Sequence, residues 1–362
     1  MTHYEERLEQ DLGAIRDRVA KIAVTIEEAV RASVNALLTH NLDAASQIIL
    51  GDMPINREIR AIDALCHAFV ARHLPSAGHL RFVSSVLRLT VALERIGDYA
   101  VTIGRETAQL SREIPGVVKS DIELIADQAR HQLRQAMDAF NEGNAELARG
   151  TKGMSDQIEL TFQKVFADLI KAGEKEKRPI RDLFALLVVV NRLGRVSDQA
   201  KNICEEAIFS TTGETKTPKR YRILFLDERG DGLSQLARAY AQKAFPESGE
   251  YSAAGWSPAE AIDPQTELFL DQNGYDVKEL EPTALPSPDE LNELHVIVGL
   301  EPGGRDKIDR LPFHTIYVDW PIDSAPSGLD QERSQERLRE LYQQLAHEIR
   351  GLIETLRGDE AS

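Results

Sequence analysis

Glu94 and Asp98 stand one helical turn apart, and their spacing is the first in this chain that could do chemistry. In a helix both side chains leave the same face, with Cβ atoms roughly 5 to 6 Å apart. Like charges that close repel, the more so where water is thin, and this pair extends an apolar line of Val83, Leu87 and Val91. Something positive is needed beside them. A hard, oxygen-preferring cation such as magnesium, calcium, manganese or iron suits carboxylates gathered from two helices. The chain's own arginines suit them too: Arg95 precedes Asp98 by three and Arg195 precedes Asp198 by three, which lets each guanidinium neutralise its aspartate. A metal centre and a structural ion-pair network are both open at this point.

A second set of reactive side chains lies between Asp227 and Ser234. The apolar run Ile223-Leu224-Phe225-Leu226 predicts a buried strand, Gly230-Asp231-Gly232 a turn, and Ser234 leads a helix through Ala244. Asp227, Glu228 and Asp231 would repel a phosphate dianion, with Arg229 the loop's one counter-charge. No thiol occurs anywhere in 213–362, so thiolate chemistry is excluded there. Asp227 could accept a phosphoryl group only with a bound magnesium ion and a basic partner.

The carboxylates of the first set sit on a repeat. Leu93-Glu94-Arg95-Ile96-Gly97-Asp98-Tyr99-Ala100 through Ile103 returns one hundred residues later as Leu193-Gly194-Arg195-Val196-Ser197-Asp198-Gln199-Ala200 through Ile203. Apolar periodicity predicts six long helices over about 5–39, 42–73, 76–112, 117–142, 144–174 and 179–211, with breaks at Asn41, Pro75, Pro115, the Asn141 to Asn144 turn and Pro179. The third carries a seam at Phe82, Val86, Leu89, Leu93, Ile96, Ala100 and Ile103; the sixth repeats it at Leu186, Val189, Leu193, Val196, Ala200 and Ile203. Asn41 to Ala45 corresponds to Asn144 to Ala148, and Asn56 falls opposite Asp156. The economical fold for 1–212 is all-α, two three-helix bundles packed together. A polar, breaker-rich stretch ending in Pro218 then reads as a linker over 213–220. Beyond it, strands near Tyr251 to Ala254, Val296 to Leu300 and Thr315 to Asp319 alternate with helices near 263–273, 287–293 and 331–357, which predicts an α/β domain over 221–358 with a small parallel sheet covered on both faces.

Bulk properties narrow the partners. The 362 residues carry a net charge of -16, which opposes attraction to nucleic acid or anionic lipid. No window reaches the roughly 18 apolar residues of a membrane span and Met1 to Gln10 is polar, so a cytoplasmic protein without membrane insertion is expected. Cys66 and Cys204 have no disulfide or zinc spacing and read as small core side chains. His79 and His131 have no ligand spacing, and Tyr99 reads as core. Duplicated bundles expose apolar faces that a second copy would cover, and a homo-oligomer is expected.

Leu93 to Ala100, preceded by Pro75-Ser76-Ala77-Gly78-His79-Leu80-Arg81, resembles the PhoU family of bacterial phosphate-uptake regulators over residues 1 to about 212. That resemblance implies paired three-helix bundles with acidic, often metal-loaded clusters, and a divalent or ferric ion on Glu94, Asp98 and Asp198; Gly194 departs from the motif in the second repeat. It also implies a phosphate ABC transporter and its sensor histidine kinase as partners, with the phosphate-starvation response held down when phosphate is plentiful. Residues 221 to about 357 resemble the low-molecular-weight protein tyrosine phosphatase and arsenate reductase fold through the opening strand and loop, Ser252-Ala253-Ala254-Gly255, Gly274-Tyr275-Asp276, Val296-Ile297-Val298, and Asp319-Trp320 near Pro326. The resemblance implies a Cys-x5-Arg-Ser loop whose thiolate attacks phosphorus. Asp227 stands in place of the cysteine and Leu233 in place of the arginine, before a retained Ser234, while Asp323 falls near the family's general acid at a shifted offset. The implication is an inactive phosphatase-like module, not an enzyme, whose loop residues Arg229, Gly230, Gly232 and Ser234 meet a ligand. The competing class is a metal- or aspartate-dependent phosphatase or phosphotransfer enzyme.

Overall fold

The structure is a computed structural model that describes residues 3–114, 116–154, 161, 164–171, 173, 179–215, 220–278, 280–312, 314–320, 322 and 330–358. Asp156, Pro115, 216–219, Asp323 and Pro326 lie outside them. The chain divides into two units, Met1–Lys216 and Thr217–Ser362.

The first unit runs through α1 (His3–Leu38), α2 (Leu42–Leu50), α3 (Asp52–Arg72), α4 (Ala77–Gln109), α5 (Gly116–Glu142), α6 (Ala145–Lys152), helical residues 164–171, and α7 (Ile180–Thr212). Side-chain caps start several of them. Asn41 accepts the N–H of Ala44, and Asn144, its counterpart in the repeat, accepts that of Leu147. Ser76 and His79 form a reciprocal capping box at the head of α4, which accounts for His79 without a ligand. The expected single helix over 42–73 is two, broken at Gly51. Pro54 is the cause: it has no N–H for the Leu50 carbonyl, and its ring would clash with that group in a continuous helix. In the second repeat α6 likewise stops at Lys152, before Gly153.

Val86, Leu89, Leu93, Ile96, Ala100 and Ile103 of α4 are fully buried, as are Leu186, Val189, Leu193, Val196, Ala200 and Ile203 of α7. The two helices pack lengthwise, and their seams merge with side chains of α1, α3 and α5 in one core. Half-buried Phe82 closes that core by stacking on Phe140 at 5.7 Å. Cys66 and Cys204 are free thiols inside it, and burial pushes each up to about 12, so neither is a thiolate at neutral pH.

The second unit runs β1 (Tyr221–Asp227), α8 (Leu233–Ala244), β2 (Gly249–Gly255), α9 (Pro264–Gln272), α10 (Pro288–Leu291), β3 (Val296–Gly299), a 3-10 turn (Gly304–Lys307), β4 (Ile316–Asp319) and α11 (Gln331–Arg357). All four strands are parallel, in the order β2-β1-β3-β4. β1 is apolar on both faces because both are covered. Ile223 and Phe225 face Leu236 of α8 and Leu341 and Leu345 of α11, while Leu224 and Leu226 face Leu291, Leu294 and Ile308. β2 and β3 flank β1 on opposite sides, so the crossovers part beside its carboxyl end, where open α/β sheets form their crevice. The loop 227–234 lies there. Among the described residues no helix is long and apolar enough to cross a membrane.

Candidate functional site

The loop that joins β1 to α8 is built around Asp227. Gly232 precedes α8 and has no side chain to cap it, so first-turn N–H groups outside the helix's own ladder, that of Ser234 among them, need an acceptor from elsewhere. Asp227 reaches them from upstream: its Oδ2 accepts the Ser234 N–H at 2.8 Å, and its Oδ1 accepts the Gly230 N–H. The residue is 3 % exposed. Burial raises its carboxyl above the ordinary aspartate range and Asp231 adds to that, while the Ser234 and Gly230 groups around it pull the other way. Gly230 turns the chain at φ +67, in the left-handed region, and a Cβ there would lie 2.8 Å from the Gly255 nitrogen. Two backbones therefore meet without side chains between them.

The four loop residues expected to meet a ligand are already engaged or turned away. The N–H groups of Gly230 and Ser234 serve Asp227. The exposed Arg229 guanidinium donates to Asp231 at 2.9 Å, and Gly232 is the uncapped start of α8. The acidic side chains at the site take different directions: Asp227 points inward, whereas Glu228 is exposed and its N–H donates to Glu301 at 2.7 Å. A nucleophile needs an open approach, and Asp227 has both oxygens bonded inside the fold.

In the helical unit the repeats treat their aspartates differently. Asp198 is exposed and accepts from Arg195 at 3.1 Å, the local neutralisation that its spacing allows. Among the described residues no ion pair joins Arg95 to Asp98. Asp98 has another neighbour in Asp52, at the start of α3: partial desolvation raises its carboxyl, the Asp52 charge raises it further, and Arg105 draws it back. Asp52 Oδ2 accepts from Asn56 at 2.9 Å, and its Oδ1 is buried without a hydrogen-bond partner. Glu94 is exposed one turn along α4. Two carboxylates from two helices, one with a free buried oxygen, suit a hard cation in donor chemistry. Among the described residues no three His, Cys, Asp or Glu side chains gather in a metal-holding group. Asp52 is a neighbour of Asp98 that spacing within α4 does not reveal. Its signal was the Asp52-x-x-x-Asn56 spacing, which echoes Glu94-x-x-x-Asp98.

The PhoU domain model matches residues 19–107 and 122–207, one match for each half of the helical unit. A phosphate-specific transport system accessory protein PhoU homolog of Pseudomonas putida is 29% identical over 240 residues, which cover 66% of this chain and 93% of that protein. The crystal structure of PhoU from Pseudomonas aeruginosa overlays with a TM-score of 0.54 at 27% identity, over 57% of this chain and 99% of its own. The second unit overlaps the arsenate reductase of Archaeoglobus fulgidus at 21% identity, over 35% of this chain and 98% of that one; the TM-score of 0.29 gives that overlap no weight for function. With one domain match in each half and a PhoU structure overlaid along almost its whole length, the helical unit of this chain is similar to PhoU proteins in both of its halves.

Proposed function

We propose that this chain is a cytoplasmic regulator of phosphate uptake that restrains the phosphate-starvation response by contact with other proteins, and that its α/β unit is a catalytically idle module for sensing or docking. The observation that carries the reading is the family match in both halves of the helical unit, whose relatives bear the name of phosphate-specific transport accessory proteins. The transporter and its sensor kinase are the partners this predicts. A divalent or ferric ion at Asp98 and Asp52, with Glu94 a turn away, belongs to the same reading; Asp198, already paired with Arg195, is its outlying member. Support for idleness comes from the buried, doubly bonded Asp227 where a nucleophile would stand.

Deleting the gene and measuring starvation-induced expression at high phosphate tests the regulatory role. Expression should rise in the deletant and fall again when the full chain is restored; an unchanged level would remove phosphate control from consideration. Phosphatase assays with and without magnesium, on the native chain and on Asp227→Asn, test idleness. Turnover that disappears with Asp227→Asn would make the second unit an enzyme.

A further inference from the structure

Three donors in the 227–234 loop converge on the Asp227 carboxylate: the N–H of Gly230, the N–H of Ser234 in the opening turn of the twelve-residue α8, and the fully buried Ser234 hydroxyl, which supports the same carboxylate. That is donor geometry for an anion. The backbone around it is fixed from outside. Every carbonyl from residue 227 to residue 231 is bonded away from the centre: Asp227 to the Trp256 N–H at 3.3 Å, Glu228 to Ser257 at 2.8 Å, Arg229 to Ala259 at 2.9 Å, Gly230 to the Gln235 side chain at 2.7 Å, and Asp231 to Asp263 at 3.1 Å. Carbonyls out, with the Gly230 and Ser234 N–H groups in, make a cradle whose shape does not depend on what fills it.

We propose that this loop is an oxyanion cradle occupied by the chain's own Asp227 carboxylate, and that shortening residue 227 to alanine lets a free tetrahedral oxyanion such as inorganic phosphate take its place. A tethered carboxylate surrenders no translational freedom on docking, so it outcompetes millimolar free phosphate. A dianion and Asp227 cannot share so small a space. The native loop is therefore blind to phosphate. The inference deepens the idle-module reading and yet is separable from it, since it concerns occupancy of the loop and not turnover or partners.

The test is calorimetric titration of three full-length chains with inorganic phosphate at constant ionic strength: native, Asp227→Ala, and Asp227→Ala combined with Ser234→Pro. Proline is tolerated in a first helical turn and removes the Ser234 donor. Asp227→Ala should bind phosphate at least tenfold more tightly than the native chain, and the double variant should fall back to the native level. Native binding as tight as that of Asp227→Ala, or a folded Asp227→Ala with no gain, would overturn the proposal. If Asp227→Ala does not fold, Asp227→Ser takes its place under the same criteria. Amide hydrogen exchange on the native chain gives an independent reading: the Gly230 and Ser234 amides should be protected, and free exchange at both would equally overturn it.

Discussion

Asp98 and Asp227 are the same residue type, and in both the folded chain opposes ionisation, yet the two units answer that opposition in different ways. Asp227 is sealed in, with two backbone N–H groups bonded to its oxygens. Asp98 stands at the surface of α4 with a second carboxylate, Asp52, as its neighbour and only Arg105 to draw it back. The α/β unit has turned a charge into internal structure; the helical unit leaves one that something from outside can satisfy. The second repeat is a third case, since Arg195 neutralises Asp198 on the spot. What decides the role of a carboxylate is therefore the supply of donors around it, which the residue type alone does not reveal.

The contrast breaks most decisively at Gly255. A Cβ there would lie 2.5 Å from the Gly230 nitrogen, so Gly255→Ala should cost the α/β unit about 3 kcal/mol in chemical denaturation. Little or no loss would mean that the loop is not clamped. Next comes Asp227→Ala, which strips two buried N–H groups of their acceptor and should cost roughly 2 kcal/mol in the same unit while the helical transition stays put. Phosphate should restore part of that loss.

Asp98→Asn should behave oppositely. It removes the repulsion from Asp52, and at this largely solvated position the gain should be no more than about 0.5 kcal/mol. Because the folded-state pKa lies above the ordinary aspartate value of 3.8, the stability tied to Asp98 is full below that value and is lost as pH rises through the raised one. The variant should flatten that decline. With manganese or ferrous ion present the order should reverse, the native chain gaining more thermal stability than Asp98→Asn; equal gains would count against a cation there. The smallest effect belongs to Arg195→Ala, where an exposed pair is worth roughly 0.2 to 0.5 kcal/mol at low salt and less at high salt.

Much of this was legible in the sequence because periodicity speaks directly about burial. The seams on α4 and α7 lie where the spacing of Leu93, Ile96, Leu193 and Val196 puts them, and β1 to β4 fall on the apolar runs beginning near Ile223, Tyr251, Val296 and Thr315. The break at Gly51 was missed although Pro54 announced it, since apolar spacing continues across the gap. Asp52 became visible only when α3 was laid beside α4. The inward turn of Asp227 was out of reach for a different reason: it depends on the φ of Gly230 and on the backbone of 256–263, neither of which leaves a periodic trace.

Cys66 and Cys204, one in each repeat, offer a practical use for the sealed core. An alkylating reagent can reach either sulfur only when the bundle around it opens, so the labelling rate of each is a clock for the opening of its own repeat. Mass spectrometry of the two tryptic peptides from a single sample would then time the halves of this duplication against each other, with no engineered probe.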